Sequence, residues 1–453
     1  MRPLPGVGGA CLRGELPERG ASAPRGDRLT AKYLLVGGSV ATIGAVEAIR
    51  EVDPEGSISL VAEEAFPSYS RPMISERLSL EADLGKMAFR QEDYWKAVRV
   101  DAYLGRRAVK LDLEAKAAEL DDGSRLSFEK LLLATGGRPI VPRMEGIDKR
   151  GFFTFTKLSD AEALSAAVEN ARSVVVIGGG LIGVSLAEAL SKRGVQVTII
   201  ELKERLLSLL LDAEASRIVE GAVKAAGVSV ITGHSAQRVI GREDDEATVG
   251  GVILENGDRV PCDLVVAAIG VMPRTELVAG TPVKTRRGIL VDRYMETSVP
   301  GVYAAGDVAE AYDFILGDDR VLALWPVAHL QGRVAGYNMA GYRREYQGGT
   351  AMSALNYFGV PVISVGLTQP EKPEDYEFLV RQGPGSRDYR KIVLREGRIV
   401  GLILVSAIEK AGLYFALMRE RVEVSGFKRK LLSDEFSLAS FPEALRRKMM
   451  EMN

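Results

Sequence analysis

Three glycines, Gly178, Gly180 and Gly183, stand in GxGxxG spacing between an apolar run at 174–177 and a stretch of helical character from Leu181 to Lys192. Glycines so placed have a chemical use. The first permits a tight turn, the second lets a pyrophosphate approach the backbone, and the third lets the helix close on the strand. Leu181 and Ile182 then open a helix whose free N–H groups and partial positive charge face the phosphates. A second apolar run at 195–200 ends at Glu201, about 20 residues past the turn, where a carboxylate reaches ribose hydroxyls. An acid there repels a 2′-phosphate, so NADH is expected over NADPH, with Lys203 and Arg205 near enough to blur the preference. The plainer reading of Glu201 is a solvated strand end.

The rest of the chain has to position that turn. Its 453 residues are long enough for two or three domains, each with a core of its own. With a net charge of −2, neither nucleic acid nor an acidic membrane surface is implied as the main partner. No apolar run is long enough for a membrane span. Two cysteines make no disulfide framework, which fits a reducing cytoplasm. The 48 glycines and 46% hydrophobic residues suit an α/β protein with many tight turns.

Residues 1–29 are rich in Pro, Gly and Arg, without hydrophobic period, and read as a disordered extension with no apolar core of a signal peptide. From residue 32 the strand, glycine turn and helix pattern appears for the first time. Here the fingerprint is altered: Ser39 and Thr42 take the second and third glycine positions after Gly37. Ser39 still permits close approach and offers a hydroxyl, whereas Thr42 must be accommodated where helix meets sheet. A strand at 57–62 leads to Glu63 and Glu64 as candidate ribose ligands. Alone, this turn is either a nucleotide site or an ordinary βαβ unit.

The segment SYSRP with Arg71 follows, then a charge-rich region to about residue 125 whose short strands and Asp-Asp-Gly-Ser turn suggest a β-meander. A strand closing on Thr135 and Gly136 precedes the intact fingerprint. Its near-echo, a strand over 264–270 ending at Gly270, follows it. Further on, Gly306-Asp307 reads as a strand end before a helix. Asp307 there either faces a ribityl or phosphate chain or caps the helix.

Five stretches thus stand in fixed order: the altered turn, ATGGRP, GGGLIG, AAIGVMPRTEL and VYAAGDVAE. Together they resemble the pyridine nucleotide-disulfide oxidoreductase superfamily over about residues 31–345. The resemblance implies an α/β fold with two Rossmann-like three-layer dinucleotide-binding domains, one for FAD and one for NAD, plus a small α+β C-terminal domain. It places a discontinuous FAD domain at 30–145 and 278–347, an NAD(P)H domain at 146–277, and at 348–453 a domain that covers the flavin or makes dimer contacts. Gly37, Ser39, Thr42, Glu63, Glu64, Arg71, Thr135, Gly136, Gly306, Asp307 and Trp325 would then line FAD. Gly178, Gly180, Leu181, Ile182, Gly183, Glu201 and Gly270 would line the nicotinamide nucleotide.

Thiol-using members carry a cysteine in the helix after the first unit, where this chain has SYSRPMISERL and none. Cys11 lies in the extension and Cys262 reads as an apolar filler. The segment is similar to one in rubredoxin reductases, ferredoxin reductases and the flavin part of NADH-dependent nitrite reductases, and the stretch around Trp325 to a ferredoxin reductase segment near the flavin ring. Two positions depart from that pattern: Glu76 stands where several relatives have lysine, and Ser185 where some have an acid. The resemblance implies hydride transfer from NADH to FAD with no side-chain acid or base, then electrons to a redox carrier protein. An NADH oxidase, a small-molecule reductase, or a nucleotide-binding flavoprotein subunit or sensor are the alternatives. His329 reads as a packed or surface residue, and the basic clusters at 428–430 and 446–448 as solvated surface or a dock for an acidic redox protein. No ligand run for an iron–sulfur centre appears, so any metal centre belongs to a partner.

Overall fold

Strand β1 (Thr30–Val36) carries Tyr33, Leu34, Leu35 and Val36 in succession, all buried, as a strand covered on both faces must. Helix α1 (Val40–Val52) returns over it, and β2 (Ile58–Ala62) pairs with it in parallel. The computed structural model describes residues 30–66, 68–81, 83–383, 387–443 and 446–447; the expected extension at 1–29, Cys11 and Lys448 lie outside them. Short helices α2 (Ile74–Leu78), α3 (Leu84–Met87) and α4 (Tyr94–Ala97) supply the long crossover that a parallel neighbour needs, and β3 (Val100–Leu104) duly pairs in parallel with β2. The expected meander is therefore smaller than the charge-rich region suggested. It comprises β4 (Ala108–Asp112), β5 (Ala117–Leu120) and the start of β6 (Arg125–Leu133), with the predicted turn at 121–124 between the last two. The end of β6 lies in parallel beside β1.

A short strand, β7 (Gly137–Pro139), carries the chain out of this sheet. The next unit runs through β8 (Phe152–Thr154), α5 (Leu158–Val168), β9 (Ser173–Ile177), α6 (Leu181–Lys192), β10 (Gln196–Glu201), α7 (Ala213–Ala225) and β11 (Ser229–Thr232). An antiparallel ribbon of β12 (Ala236–Gly241), β13 (Val249–Leu254) and β14 (Arg259–Pro261) interrupts it before β15 (Leu264–Ala267) completes a parallel sheet in the order β11-β10-β9-β15-β8. The single strand expected over 264–270 ends at Ala267. Gly270 turns the backbone at φ +107, and β16 (Val271–Pro273) leaves to pair antiparallel with β7.

After β17 (Ile289–Leu290), strand β18 (Val302–Ala304) re-enters the first sheet beside β6, with Val302 opposite Leu131. The hairpin of β19 (Ala309–Asp313) and β20 (Asp318–Val321) leads to α8 (Trp325–Met339), which crosses α1 closely through glycines. A Cβ on Gly332 would lie 1.9 Å from Ala41 O, and one on Gly336 2.3 Å from Ala45 O. The last sheet is antiparallel, in the order β21 (Met352–Tyr357), β22 (Val360–Gly366), β25 (Arg398–Val405), β24 (Tyr389–Arg395) and β23 (Glu377–Gln382). Helix α9 (Ala411–Arg419) packs on it. Strand β23 was invisible in the sequence because it is a mostly exposed edge without hydrophobic alternation. No helix among the described residues is long and apolar enough to cross a membrane.

Candidate functional site

Two strand–turn–helix units occur in one chain, and their registers can be superposed. Val36 pairs with Val61 just before Gly37, as Ile177 pairs with Ile200 just before Gly178. Both first glycines need the left-handed region, at φ +124 and +111, and both are walled by a carbonyl of the neighbouring strand. A Cβ would lie 2.0 Å from Ala134 O at Gly37 and 2.5 Å from Ala268 O at Gly178.

The third positions differ. At Gly183 a Cβ would fall 1.8 Å from Gly178 O, so only glycine lets α6 sit against its turn. Thr42 is fully buried at the matching place and its hydroxyl donates to Gly37 O at 2.5 Å. Helix α1 therefore stands off far enough to hold a side chain, which the threonine fastens to the turn. Thr42→Val keeps the shape and leaves that carbonyl one bond short; a loss of about 1–2 kcal/mol is expected, read as a lower midpoint of chemical denaturation.

By the same register, the place of Glu201 in the first unit belongs to Ala62, whose Cβ would lie 2.6 Å from one built on Gly38. Glu63 comes one residue later. Its carboxylate pairs with Arg274, which more than offsets the cost of burial and holds it below the usual carboxylate range. Arg274 also closes on the turn after β6 through its backbone: its carbonyl accepts from Thr135 Oγ1 at 2.8 Å and its N–H donates to Gly136 O at 2.9 Å. Glu64 goes elsewhere, pairing with Arg71 and accepting from Tyr69 OH at 2.7 Å. Tyr69 OH accepts from Leu158 N at 2.9 Å, and Arg71 donates to Thr156 O at 3.1 Å, so the SYSRP segment ties the first unit to the second.

Gly306 and Asp307 lie where α1, α8 and this segment converge. A Cβ on Gly306 would meet Ala41 at 3.3 Å and Ala328 at 3.6 Å, and its N–H donates to Gln331 Oε1 at 2.8 Å. The chain turns from Asp307 into β19 rather than into the expected helix, which removes the capping role considered for it. Asp307 is half-buried and makes no hydrogen bond among the described residues. Burial pushes its carboxyl above the usual range, and the Arg71 guanidinium partly counters that. Burial alone would lower Arg71, but Glu64 and the other anions around it raise it above the ordinary value.

Trp325 is the first residue of α8, its ring edge-on to Phe89 at 4.5 Å and stacked toward His329 at 6.5 Å between centroids. His329 Nε2 lies 3.4 Å from Glu47, without hydrogen-bond alignment. Trp325 Nε1 is buried without a partner among the described residues, and Ser39 leaves the start of α1 without a side-chain cap, so the first-turn N–H groups of that helix are free for an anion.

In the second unit, Gly180 caps α6 with no side-chain bond. Glu201 accepts from Gly179 N at 2.5 Å and from Lys203 N at 2.7 Å. Arg205, expected near the ribose, is instead directed away: it donates to Gln369 Oε1 at 2.5 Å, toward the C-terminal sheet. Gly270 O accepts from Ile140 N at 2.9 Å, beside the ribbon of β7 and β16 that joins the two units. Ser185 is half-buried on α6, where Tyr357 of β21 approaches it, and Glu76 is exposed on α2 with no side-chain bond among the described residues. The roles of Ser68, whose hydroxyl donates to Gly38 O at 2.7 Å, and of Gln331 were not visible in the sequence. Both are ordinary polar residues whose partners come from distant segments.

Cys262 packs among Val175, Ile177 and Val265 in the second unit. Burial pushes its thiol up to about 12, leaving about one part in ten thousand as thiolate at pH 8. The folded protein is therefore expected to leave this thiol unalkylated by iodoacetamide at pH 8, with full labelling after denaturation, as read by mass spectrometry.

Comparison with known proteins agrees with this architecture. Residues 31–332 match the family of pyridine nucleotide-disulphide oxidoreductases, and residues 352–422 match the rubredoxin NAD+ reductase C-terminal domain. The chain belongs to the pyridine nucleotide-disulphide oxidoreductase family; it is an oxidoreductase whose cofactors are a flavin and a nicotinamide nucleotide. Among its relatives, the epsilon subunit of the NADH-dependent phenylglyoxylate dehydrogenase of Aromatoleum evansii is 34% identical over 413 residues, 90% of this chain and 96% of that protein. The ferredoxin–NAD(+) reductase component of the biphenyl dioxygenase system of Paraburkholderia xenovorans is 33% identical over 66% of this chain and 72% of its own. The crystal structure of the ferredoxin reductase for the CYP199A2 system of Rhodopseudomonas palustris superposes with a TM-score of 0.79 at 25% identity, covering 87% of this chain and 96% of that one.

Proposed function

We propose that the chain is an FAD-dependent NADH:acceptor oxidoreductase that passes electrons to a one-electron redox protein. Residues 30–145 with 278–347 hold FAD in this reading, 146–277 hold NADH, and 348–453 form the acceptor or dimer side. The observation that carries it is the pairing of two glycine turns across the β7–β16 ribbon, with Cys262, the one cysteine among the described residues, buried in the second unit's core. Bound flavin would accept hydride from the nicotinamide and release the electrons singly.

The chain's own part is positioning. The start of α1 offers N–H groups to the pyrophosphate, Ser39 lets it approach, and Glu63 is the acid in reach of the ribose. Asp307, kept apart from other partners and next to Arg71, accepts from ribityl hydroxyls. Gln331 holds the Gly306 amide in place, and the Trp325 ring shields the flavin from water. In the second unit the start of α6 takes the other pyrophosphate, while Glu201 repels a 2′-phosphate. The redirection of Arg205 removes one cation that would have favoured NADPH.

Anaerobic titration of the purified protein tests this. NADH is expected to bleach the flavin absorbance rapidly and NADPH at least about tenfold more slowly, one lost charge–charge or charged hydrogen-bond contact in size. A flavin that NADH leaves oxidised would refute the reading. Reoxidation by a carrier protein but only slowly by oxygen distinguishes the carrier reductase from an oxidase.

A further inference from the structure

Between Glu201 and α7 the chain runs through residues 202–211, and this segment is bound from two sides. Toward the second turn, Leu207 N donates to Gly179 O at 2.8 Å, and Leu206 lies so near that a Cβ on Gly179 would fall 2.5 Å from its Cδ2. Gly179 N in turn donates to Glu201. Leu207 sits at φ +53, a conformation L side chains adopt only when their surroundings enforce it.

The other side is the C-terminal sheet and the loop that leaves its strand β22. Ser208 O accepts from Gln369 Nε2 at 2.8 Å, while Gln369 Oε1 accepts from Arg205. Leu210 O accepts from both Ser364 Oγ at 2.9 Å and Thr368 Oγ1 at 3.0 Å, and those two residues are buried. Asp212, which caps α7, accepts from Tyr389 OH at 2.6 Å and pairs with Lys391 at 3.0 Å. The segment's own unit supplies Ser216 to Leu206 O and Arg205 to Leu211 O. The carbonyls of Ser208 and Leu210 thus take their bonds from β22 and the loop that follows it, distant in sequence.

We infer that the C-terminal sheet sets how tightly the second turn holds its nicotinamide nucleotide, by clamping residues 202–211 against Gly179 and Glu201. This rests on the reading of 178–201 as the nucleotide site. Without the clamp, Leu207 is free to leave its left-handed conformation and withdraw from Gly179, and the nucleotide must then order turn, acid and segment as it binds. With the clamp in place the ordering cost is met before the nucleotide arrives. By linkage, bound nucleotide stabilises the clamp in equal measure. Gln369, Thr368 and Ser364 are accordingly positioning residues, acting through the segment and touching no nucleotide themselves.

The test uses the full-length flavoprotein and two variants, Gln369→Leu, which removes bonds to Arg205 and Ser208, and the nearly isosteric Thr368→Val. Three quantities are measured: the Kd for NAD+ by calorimetry, the limiting rate of flavin bleaching at saturating NADH, and amide hydrogen exchange over 202–212. Each variant is expected to raise the Kd about five- to tenfold, as the loss of one or two hydrogen bonds does, with a limiting rate within about twofold of the parent. Exchange over 202–212 should quicken and slow again when NAD+ is added. Faster exchange with an unchanged Kd overturns the inference, as does a limiting rate that falls in step with affinity. If Gln369→Leu does not fold, Thr368→Val decides alone by the same outcomes. A parent protein that neither binds NAD+ nor is bleached by NADH refutes the nucleotide-site reading itself, a result distinct from a parent that binds and variants that bind equally well.

Discussion

Gly183→Ala is expected to abolish NADH-dependent flavin reduction while leaving flavin bound. The added methyl would stand 1.8 Å from the Gly178 carbonyl, so α6 must move off its turn or the turn must open. Either movement misdirects the N–H groups at the start of α6, which in the proposed reading would hold a pyrophosphate through charge-assisted bonds of about 1.5–3 kcal/mol each, and losing two would raise the nucleotide Kd on the order of a hundredfold or more. The first unit belongs to a different sheet and its turn is walled by Ala134, so flavin content should stay near that of the parent. Stopped-flow bleaching and the ratio of flavin to protein absorbance measure both halves. A variant that loses flavin together with NADH affinity would show that the two turns are not separate seats.

Gly37→Ala should give the opposite pattern: a protein isolated without flavin, and less stable. The alanine would occupy φ +124 with its Cβ 2.0 Å from Ala134 O, a backbone atom just past the end of β6 that no rotamer change can move away. Left-handed strain and overpacking each cost about 1–3 kcal/mol, so a loss of about 2–6 kcal/mol is expected in denaturant titration of the apoprotein, with NAD+ binding to the second unit retained. Full flavin occupancy in this variant would remove the first turn from the site. The pair of variants separates the units more cleanly than truncation, because β18 returns to the first sheet after the second is complete and no single cut divides them.

How far the site was legible in the sequence depended on whether its chemistry was local. Gly37, Gly178 and Gly183 act within their own turn, where spacing alone implies the geometry, and the predicted helix from Leu181 to Lys192 has those bounds in the structure. The sequence after Asp307 does not distinguish β19 from a helix, because a strand end followed by Gly-Asp fits a turn into either, and the apolar residues beyond it do not separate period 2 from period 3.6 over so short a run. The break at Ala267 was hidden for the same reason, since residues 264–270 are continuous in hydrophobicity and only the pairing of β16 with β7 divides them.

What the sequence determined by itself was the class of fold, the two glycine turns in their order, and the lack of a thiol in the segment after the first unit. Hydrophobic period, φ-permissive residues and composition are properties that neighbouring residues fix among themselves. What only the tertiary structure decided was which partner each charge or hydroxyl takes. Glu63 turned to Arg274 and Glu64 to Arg71, Arg205 took Gln369 as its partner, and Thr42, at the third position of the turn, found the carbonyl of Gly37. Each choice depends on the approach of a segment remote in the chain, or on how far a helix stands from its sheet. Buried polar groups take whatever partner packing brings within hydrogen-bond reach, and packing is a property of the whole molecule.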